Sequence, residues 1–221
     1  MAGAILLASH HPAPELLWAP VAGRPLLAWS VAACDVTPEI AETLLIVPED
    51  QVAEAQALVE AQGWARVRVL PGDQRNRESV EVGLRALDPT LAWVVIHEAA
   101  RPLAPPALLT VAIDLAQQTD ADVIAGGPVK ETVKRLRDGL VVETLPREQM
   151  ARAQTPYVFN RERLLAAHAS LPLHRDFPDE ATLALAAGLP LRVLPGPHDN
   201  IRVTSAADLA VVAALLADRP V

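Results

Sequence analysis

A run of apolar residues that ends abruptly in charged side chains is the part of the sequence best suited to chemistry. Residues 93–98 read WVVIHE and are followed by AARP. Buried parallel strands have this apolar character, and ligands of open α/β sheets bind just beyond the carboxyl ends of the strands. We therefore predict that Glu98 and Arg101 lie at such an edge, where a carboxylate can hold Mg²⁺ between phosphates. The alternative is an exposed acidic residue in an ordinary loop.

The neighbouring His97 and Glu98 do not indicate a zinc protease. That motif needs a second histidine four residues after the first, and Arg101 occupies the position. The sequence also contains no Walker-type phosphate loop, dinucleotide fingerprint or serine nucleophile elbow. Adjacent residues diverge on a strand or a helix, so we do not expect His10 and His11 to form a metal pair.

Two further segments carry groups that bind anions. Residues 71–80 read PGDQRNRESV, and such a loop can present backbone N–H groups, a hydroxyl and arginines to an anion. With one glycine, the segment also fits an ordinary polar loop. Residues 200–208 read NIRVTSAAD, which predicts a short strand running into a helix capped by Thr204 or Ser205. Capping does not explain Arg202, which is a candidate for a phosphate contact.

Strand-like and helical patterns alternate along the chain. The predicted strands are residues 4–8, 43–47, 67–70, 93–97, 122–125 and 191–194. The predicted helices are residues 25–34, 49–62, 78–87, 106–118, 161–169, 179–187 and 206–217. This alternation is typical of βαβ units, so we predict a three-layer α/β fold with a mainly parallel sheet.

One segment interrupts the alternation. Residues 132–137 and 140–145 are strand-like and flank Asp138 and Gly139, a pair that is a strong hairpin signal. The hairpin is more polar than its neighbours, so we expect it to project from the body. A two-stranded ribbon is marginally stable alone, which favours docking on a second copy of the chain.

Composition narrows the class of protein. The 221 residues carry a formal net charge of −8, which argues against a general nucleic-acid binder. No stretch approaches the ~20 apolar residues that a membrane helix needs, so we expect no membrane association. Cys34 is the single cysteine, which excludes an intrachain disulfide and suits a cytoplasmic protein. We expect one domain spanning residues 1–221.

Six segments in this order resemble the motifs of the 2-C-methyl-D-erythritol 4-phosphate cytidylyltransferase family, and together they cover nearly the whole chain. They are GRPLL at 23–27, the loop at 72–80, HEAARP at 97–102, PVKETVKR at 128–135, Arg147 followed by QTP at 154–156, and NIRVT at 200–204. The resemblance implies a Rossmann-like nucleotidyltransferase fold that transfers CMP from CTP to the polyol phosphate and releases pyrophosphate. It also implies Mg²⁺ as cofactor and a homodimer, whose arm at about 130–157 helps to complete the partner's site.

The same resemblance implies roles for particular residues. The catalytic positions are Glu98, Arg147 and Arg202, and Glu98 is also the metal position. The polyol-phosphate positions are Arg101, Thr132 and Thr155. The nucleotide positions are Ala8, Ser9, Gly72, Asp73, Ser79 and Ala99. Glu98 and Arg202 stand where the family has an aspartate and a lysine.

The first loop departs from the family pattern. The family has a glycine-rich loop with an arginine and a lysine that stabilise the reacting phosphates, whereas residues 8–17 here read ASHHPAPELL. Removing one preorganised donor commonly slows a reaction by about 100- to 1000-fold. The candidates for a replacement cation are His10, His11, Arg24 and Arg75.

Two alternatives to this activity remain open at this point. The altered first loop is compatible with a catalytically impaired homologue that keeps the fold and the dimer as a binding or scaffold protein. Residues 177–180 read FPDE where the family usually has Thr-Asp-Asp, which is compatible with a different acceptor or base. Binding of CTP with Mg²⁺ tests the first alternative, and competition among the four nucleoside triphosphates tests the second.

Overall fold

A computed structural model describes residues 1–72, 75–172, 175 and 177–217. The strands of this part of the chain are β1 (Ala2–Leu7), β2 (Pro20–Val21), β3 (Arg24–Pro25), β4 (Ile40–Val47), β5 (Val67–Pro71), β6 (Trp93–Glu98), β7 (Asp122–Pro128), β8 (Lys134–Arg137), β9 (Leu140–Thr144), β10 (Ala151–Asn160) and β11 (Leu191–Pro195). The helices are α1 (Glu15–Trp18), α2 (Leu26–Asp35), α3 (Val52–Gln62), α4 (Asn76–Ala86), α5 (Pro106–Thr119), α6 (Arg161–Ser170), α7 (Glu180–Ala186) and α8 (Ala206–Ala217). Among these described helices, none combines the length and the apolar character needed to cross a membrane.

Seven of the strands form one central sheet in the order β11-β7-β10-β6-β1-β4-β5. β1 is parallel to both β4 and β6, and the pairs β4–β5 and β7–β11 are also parallel. β10 is antiparallel to both of its neighbours, β6 and β7. The prediction of a mainly parallel α/β sheet is therefore confirmed.

The side chains of β1 show how the sheet separates two layers of helices. Ala4 and Leu6 pack into a core that also contains residues of α2, α3, α5 and α8. Ile5 and Leu7 pack into a second core with residues of α4, α6 and α7. Because successive strand residues point to opposite faces, the continuous apolar run of β1 is buried on both sides. The three-layer prediction is confirmed.

The sequence patterns do not predict β10, which lies between β6 and β7. Its Pro156 has no N–H for a sheet ladder, and a proline within a run argues against a central strand. The pairing of β10 with β7 shifts register between Gln154 and Tyr157, and this bulge accommodates the proline. As a result Thr155 lies beside the end of β6, where its Oγ1 accepts a hydrogen bond from Glu98 N–H at 3.1 Å.

The short strand predicted ahead of α8 is wrong, because residues 201–204 pair with no strand among the described residues. A single backbone contact holds the segment to the sheet edge, where Val203 N–H donates to Ala100 O at 2.9 Å. Ser205 is the residue that caps α8, since its Oγ accepts from Asp208 N–H at 3.2 Å. Thr204 N–H in turn donates to the Asp208 carboxylate at 3.0 Å, so the cap also secures the end of the segment.

The predicted hairpin is present as a separate two-stranded ribbon of β8 and β9. At its turn, Asp138 and Gly139 have φ angles of 51° and 79°, as the favoured two-residue hairpin turns require. The ribbon exposes apolar side chains to solvent, with Leu140 71% exposed. It is shorter than the predicted arm, because residues from 151 onward belong to β10 in the central sheet.

Gly83→Ala is expected to lower the free energy of unfolding, although alanine is the better helix former by about 1 kcal/mol. A Cβ at this position of α4 would lie 2.8 Å from Cδ1 and 2.9 Å from Cγ1 of the buried Ile5. Overpacking of this kind typically destabilises by about 1–3 kcal/mol. Urea unfolding measures the change, with Val82→Ala at a 40% exposed position of the same helix as control. Stability equal to or above that of the wild type would contradict the close packing of α4 on β1.

Candidate active site

Glu98 lies at the carboxyl end of β6 and is shared by two arginines. Its Oε2 is 2.5 Å from Nε of Arg101, and its Oε1 is 2.7 Å from Nε of Arg202. Arg101 follows β6 directly, whereas Arg202 comes from the segment ahead of α8. One carboxylate neutralises only one of the two guanidinium groups. Each guanidinium keeps further N–H donors, which can bind a phosphate.

A closed ring of hydrogen bonds orients these groups. Arg101 Nη1 donates to Asn200 O at 3.0 Å, and Asn200 Nδ2 donates to Thr155 O at 2.8 Å. The contact between Glu98 N–H and Thr155 Oγ1 closes the ring. The ring joins the end of β6, the middle of β10 and the segment ahead of α8. Connected polar networks of this kind hold their members in one arrangement.

A cavity of about 230 Å³ opens beside Glu98. Its lining includes Arg101, Thr155 and Arg202, together with His10 from the first loop. The structure thus brings Glu98, Arg101, Thr155 and Arg202 to one place, although they are spread over more than 100 positions of the sequence. A carboxylate, two guanidinium groups and a hydroxyl around one cavity suit the binding of phosphates and a metal ion.

Two further carboxyl groups, those of Asp179 and Glu180, line the same cavity. Asp179 Oδ2 accepts from the Tyr157 hydroxyl at 2.9 Å, and its Oδ1 accepts from Thr182 N–H at 2.8 Å, which caps α7. Glu180 is 3% exposed, and burial raises the pKa of its carboxyl to about 7. Asn76 Nδ2 donates to Glu180 Oε2 at 3.1 Å. Glu180 therefore exchanges its proton near neutral pH.

Three of the predicted nucleotide positions lie together between the ends of β1 and β5 and the start of α4. Ser9 Oγ is 3.1 Å from Ser79 Oγ. Gly72 packs so closely on this pair that a Cβ would lie 2.5 Å from both Cβ and Oγ of Ser9. Only glycine allows this approach of the two loops. Asp73, the next predicted nucleotide position, lies outside the described residues.

The remaining nucleotide positions, Ala8 and Ala99, are buried where β1 and β6 end, with 3% and 0% exposure. Ala8 N–H donates to Ile46 O at 2.8 Å, and Ala99 N–H donates to Leu7 O at 2.9 Å. The ladders of the sheet therefore continue as far as these two alanines.

Thr132 and Arg147 do not join the cavity of their own chain. Both are exposed and flank the ribbon of β8 and β9. Arg147 Nη1 donates to Lys130 O at 3.0 Å, and its Nε lies 3.5 Å from Glu148 Oε1. Neither Thr132 nor Arg147 is among the described residues that line the cavity.

The candidates for a replacement cation differ in their positions. His10 lines the cavity. Arg24 stacks on the ring of Trp29, with its guanidinium carbon 3.6 Å from the ring centroid. Arg75 is ion-paired with Glu78. Arg24 and Arg75 are not among its described lining residues. His10 and His11 both line a smaller cavity of about 30 Å³ beside Glu98, so these two histidines are the candidates that the structure brings to Glu98.

No motif in the sequence predicts a site role for Asn76 or Asn200. Asp179 and Glu180 stand only in a segment that departs from a family motif. Asn200 stands two positions before Arg202 in the NIRVT segment, and Asn76 begins α4 just after the glycine loop. The proximity of these two asparagines to a motif is the signal in the sequence that points to the site. The residue type gave none, because asparagine is common in loops and caps.

Glu180→Gln is expected to stabilise the protein at neutral and alkaline pH. In the wild type the folded pKa of about 7 exceeds the ordinary glutamate pKa of 4.5. The unfolded state therefore releases its proton first, and stability falls as the pH rises from about 4.5 to 7. The glutamine variant lacks this loss, which is on the order of 3 kcal/mol. Urea unfolding at pH 4.5 and pH 8 measures the difference between the two proteins.

The control for loss of a negative charge is Glu162→Gln, at an exposed position in the first turn of α6. Burial also lowers the pKa values of His97 and His168 to about 4. Their effect on stability is common to all three proteins and cancels in the comparison. A constant difference between Glu180→Gln and the wild type across this pH range would contradict the assignment.

Comparison with known proteins places the chain in a family. Residues 11–218 match the family model for 2-C-methyl-D-erythritol 4-phosphate cytidylyltransferase. The proteins of that name from Dehalococcoides mccartyi and Gloeobacter violaceus are 32% and 37% identical to the chain. The matches cover 91% and 89% of this chain, and 88% and 86% of the two relatives. The chain also matches 51% of a bifunctional IspD/IspF enzyme of Desulfotalea psychrophila at 32% identity.

Solved structures give the same result. The 4-diphosphocytidyl-2C-methyl-D-erythritol synthase of Anaerococcus prevotii superposes with a TM-score of 0.89 at 26% identity, over 98% of both chains. The 2-C-methyl-D-erythritol 4-phosphate cytidylyltransferase of Thermus thermophilus superposes with a TM-score of 0.80 at 26% identity, over 98% of this chain and 100% of its own. The motif order, the fold and these relatives agree, and the chain belongs to the 2-C-methyl-D-erythritol 4-phosphate cytidylyltransferase family.

Proposed function

We propose that this chain transfers CMP from CTP to 2-C-methyl-D-erythritol 4-phosphate and releases pyrophosphate. The family relationship supports this reaction and extends over almost the entire chain, so we favour an enzyme over an impaired homologue. The observation that carries the proposal is the carboxylate of Glu98 held between Arg101 and Arg202 at a cavity. Transfer of phosphoryl-type groups depends almost wholly on positioning and charge stabilisation.

The chemical step is an in-line attack by a phosphate oxygen of the polyol phosphate on the α-phosphorus of CTP. The new P–O bond forms as the bond to the pyrophosphate breaks, and the pyrophosphate leaves with that bond's electron pair. Negative charge on the phosphate oxygens is stabilised by donors that are oriented in advance. Arg101 and Arg202 are such donors, because Glu98 holds both of them before any ligand arrives.

We propose Mg²⁺ as the cofactor, with Glu98 as its ligand from the protein. In sites that bind nucleotides, Mg²⁺ usually combines one or two carboxylates with substrate phosphates and water. Glu98 lines the cavity together with the carboxyl groups of Asp179 and Glu180, so oxygen ligands of the kind that Mg²⁺ prefers are present. The bound ion would neutralise phosphate charge and orient the triphosphate.

The polyol phosphate fits a second cavity, of about 320 Å³, that shares Arg101 and Arg202 with the first. Arg152 and His198 add basic groups to its lining, although the chain as a whole carries a net charge of −8. Buried Gln154 Oε1 in this lining has no hydrogen-bond partner among the described residues. Such an oxygen can accept a hydrogen bond from a hydroxyl of the polyol.

We propose a homodimer in which the ribbon of each chain serves the site of the other. Isolated two-stranded ribbons are marginally stable, and exposed apolar side chains such as Leu140 favour a partner surface. Thr132 and Arg147 lie at the base of this ribbon and outside the cavity of their own chain. A second copy would supply them to the polyol phosphate.

We also propose a cytoplasmic location. Cys34 is free and buried, and burial raises the pKa of its thiol to about 12. The thiol therefore stays protonated and unreactive. A single unpaired cysteine suits a reducing compartment.

Arg152→Ala is expected to raise the KM for the polyol phosphate about 10- to 150-fold and to leave the KM for CTP within about twofold. Loss of one hydrogen bond to a charged group corresponds to roughly 1.5–3 kcal/mol, and the guanidinium lines only the second cavity. Steady-state kinetics with each substrate varied in turn measures both constants. Arg192→Ala, at an exposed position of β11, is the control. An effect on the KM for CTP alone would contradict the assignment of the second cavity.

Mixing two inactive variants tests the shared site. Glu98→Gln and Arg147→Ala homodimers are each expected to lose about 100- to 1000-fold in kcat. If Arg147 acts in the partner's site, random exchange of subunits creates heterodimers with one intact site each. The mixture then regains about a quarter of the wild-type activity. Pyrophosphate release before and after subunit exchange measures this recovery.

The control is a mixture of Glu98→Gln with Arg202→Ala, which both act in the site of their own chain. In each of these heterodimers every site carries one substitution, so no recovery is expected. Failure of the first mixture to recover, with exchange verified by mass spectrometry, would contradict the role of the ribbon. Full activity of the Glu98→Gln homodimer would contradict the proposed site itself.

A further inference from the structure

The first loop, residues 8–14, holds its shape through the imidazole of His11. His11 Nδ1 lies 3.2 Å from N and 2.8 Å from O of Ala13. At the other end of the ring, Nε2 lies 2.6 Å from Val203 O, 192 positions away in the sequence. Nε2 carries a proton in this contact, because the Val203 carbonyl can only accept.

The partner at the far end of the ring belongs to the segment that carries Arg202. Residues 201–204 pair with no strand in the described part of the chain, so the buried side chain of Val203 and a few polar contacts determine their position. Val203 N–H donates to Ala100 O on one side, and Val203 O accepts from His11 on the other. The peptide that follows Arg202 is therefore held between the end of β6 and the first loop.

The same loop brings His10 to the cavity. His10 lines it together with Glu98, Asn76 and Arg202. Both ring nitrogens of His11 are engaged with backbone atoms. His11 thus belongs to the framework of the loop, while His10 faces the cavity.

We propose that His11 is a positioning residue that fastens the first loop to the segment carrying Arg202. The first loop and Arg202 then form one unit. This unit takes the place of the family's glycine-rich loop, which this chain lacks. The inference rests on the proposed function, because it assigns a further residue to the same site. The relevant contact is the bond from Nε2 to Val203 O, and the bond to Ala13 only shapes the turn.

Two substitutions separate the two contacts. Asparagine at position 11 can bond the backbone two residues on and so keep the turn at Ala13, but it is too short to reach Val203. Glutamine is long enough to place its amide N–H near Val203 O, but it does not keep the turn. His11→Asn and His11→Ala are therefore expected to lower kcat/KM for CTP by about 10- to 100-fold. His11→Gln is expected to stay within about threefold of the wild type.

A role confined to the turn predicts the reverse order, with His11→Asn active and His11→Gln impaired, and this result would overturn the proposal. Thermal unfolding checks that all variants are folded. Glu15→Gln, an exposed position at the start of α1, is the control for a change near the loop.

A double-mutant cycle tests whether His11 acts through Arg202. If it does, adding His11→Asn to Arg202→Ala lowers kcat/KM by less than about threefold beyond Arg202→Ala alone. Full addition of the two losses would overturn the proposal.

If the proposed function is wrong, the wild type releases no pyrophosphate, which is a different result from those above. In that case the Kd of CTP with Mg²⁺, measured by calorimetry, replaces the kinetic constants. Weaker binding by His11→Asn than by His11→Gln supports the positioning role without the activity. An unchanged Kd in His11→Asn, or no CTP binding by the wild type, overturns it.

Discussion

The carboxylate of Glu98 holds together two guanidinium groups that would otherwise repel each other. Arg101 and Arg202 reach it from different parts of the chain, at 2.5 and 2.7 Å. Two like charges at such close range destabilise each other unless a counter-charge lies between them. Glu98 supplies it, and both guanidinium groups keep N–H donors for a phosphate. The cavity is therefore preorganised for phosphates before they bind, and this arrangement is the central feature of the site.

Each element around Glu98 contributes to that arrangement. The parallel neighbours β1 and β6 bring the first loop and Glu98 to the same edge of the sheet. The bulge in β10 places Thr155 against the end of β6. The segment ahead of α8 has no sheet ladder, and its position depends on contacts with Ala100, Arg101 and His11. The packed sheet thus positions Glu98, and polar contacts between loops complete the site around it.

Much of this could be predicted from the sequence, and the omissions have physical causes. Apolar runs and helical periodicity predicted the parallel sheet and its helices, because burial on both faces of the sheet leaves a strong pattern. β10 escaped prediction because Pro156 argues against a central strand, and the bulge that accommodates it arises only from pairing. Glu98 and Arg202 were recognised by charge next to motifs. Their meeting through the Asn200 ring, and the His11 contact 192 positions away, depend on tertiary structure that no local pattern encodes.

The first loop lacks the arginine and the lysine that the family has there, so catalytic turnover is the property that decides whether this site works. Pyrophosphate release by the purified wild-type protein, given CTP, Mg²⁺ and 2-C-methyl-D-erythritol 4-phosphate, tests it most directly. We expect repeated turnover, because Arg101, Arg202 and His10 surround the cavity beside Glu98. A folded protein that binds CTP but releases no pyrophosphate at high enzyme concentration would contradict the proposed activity.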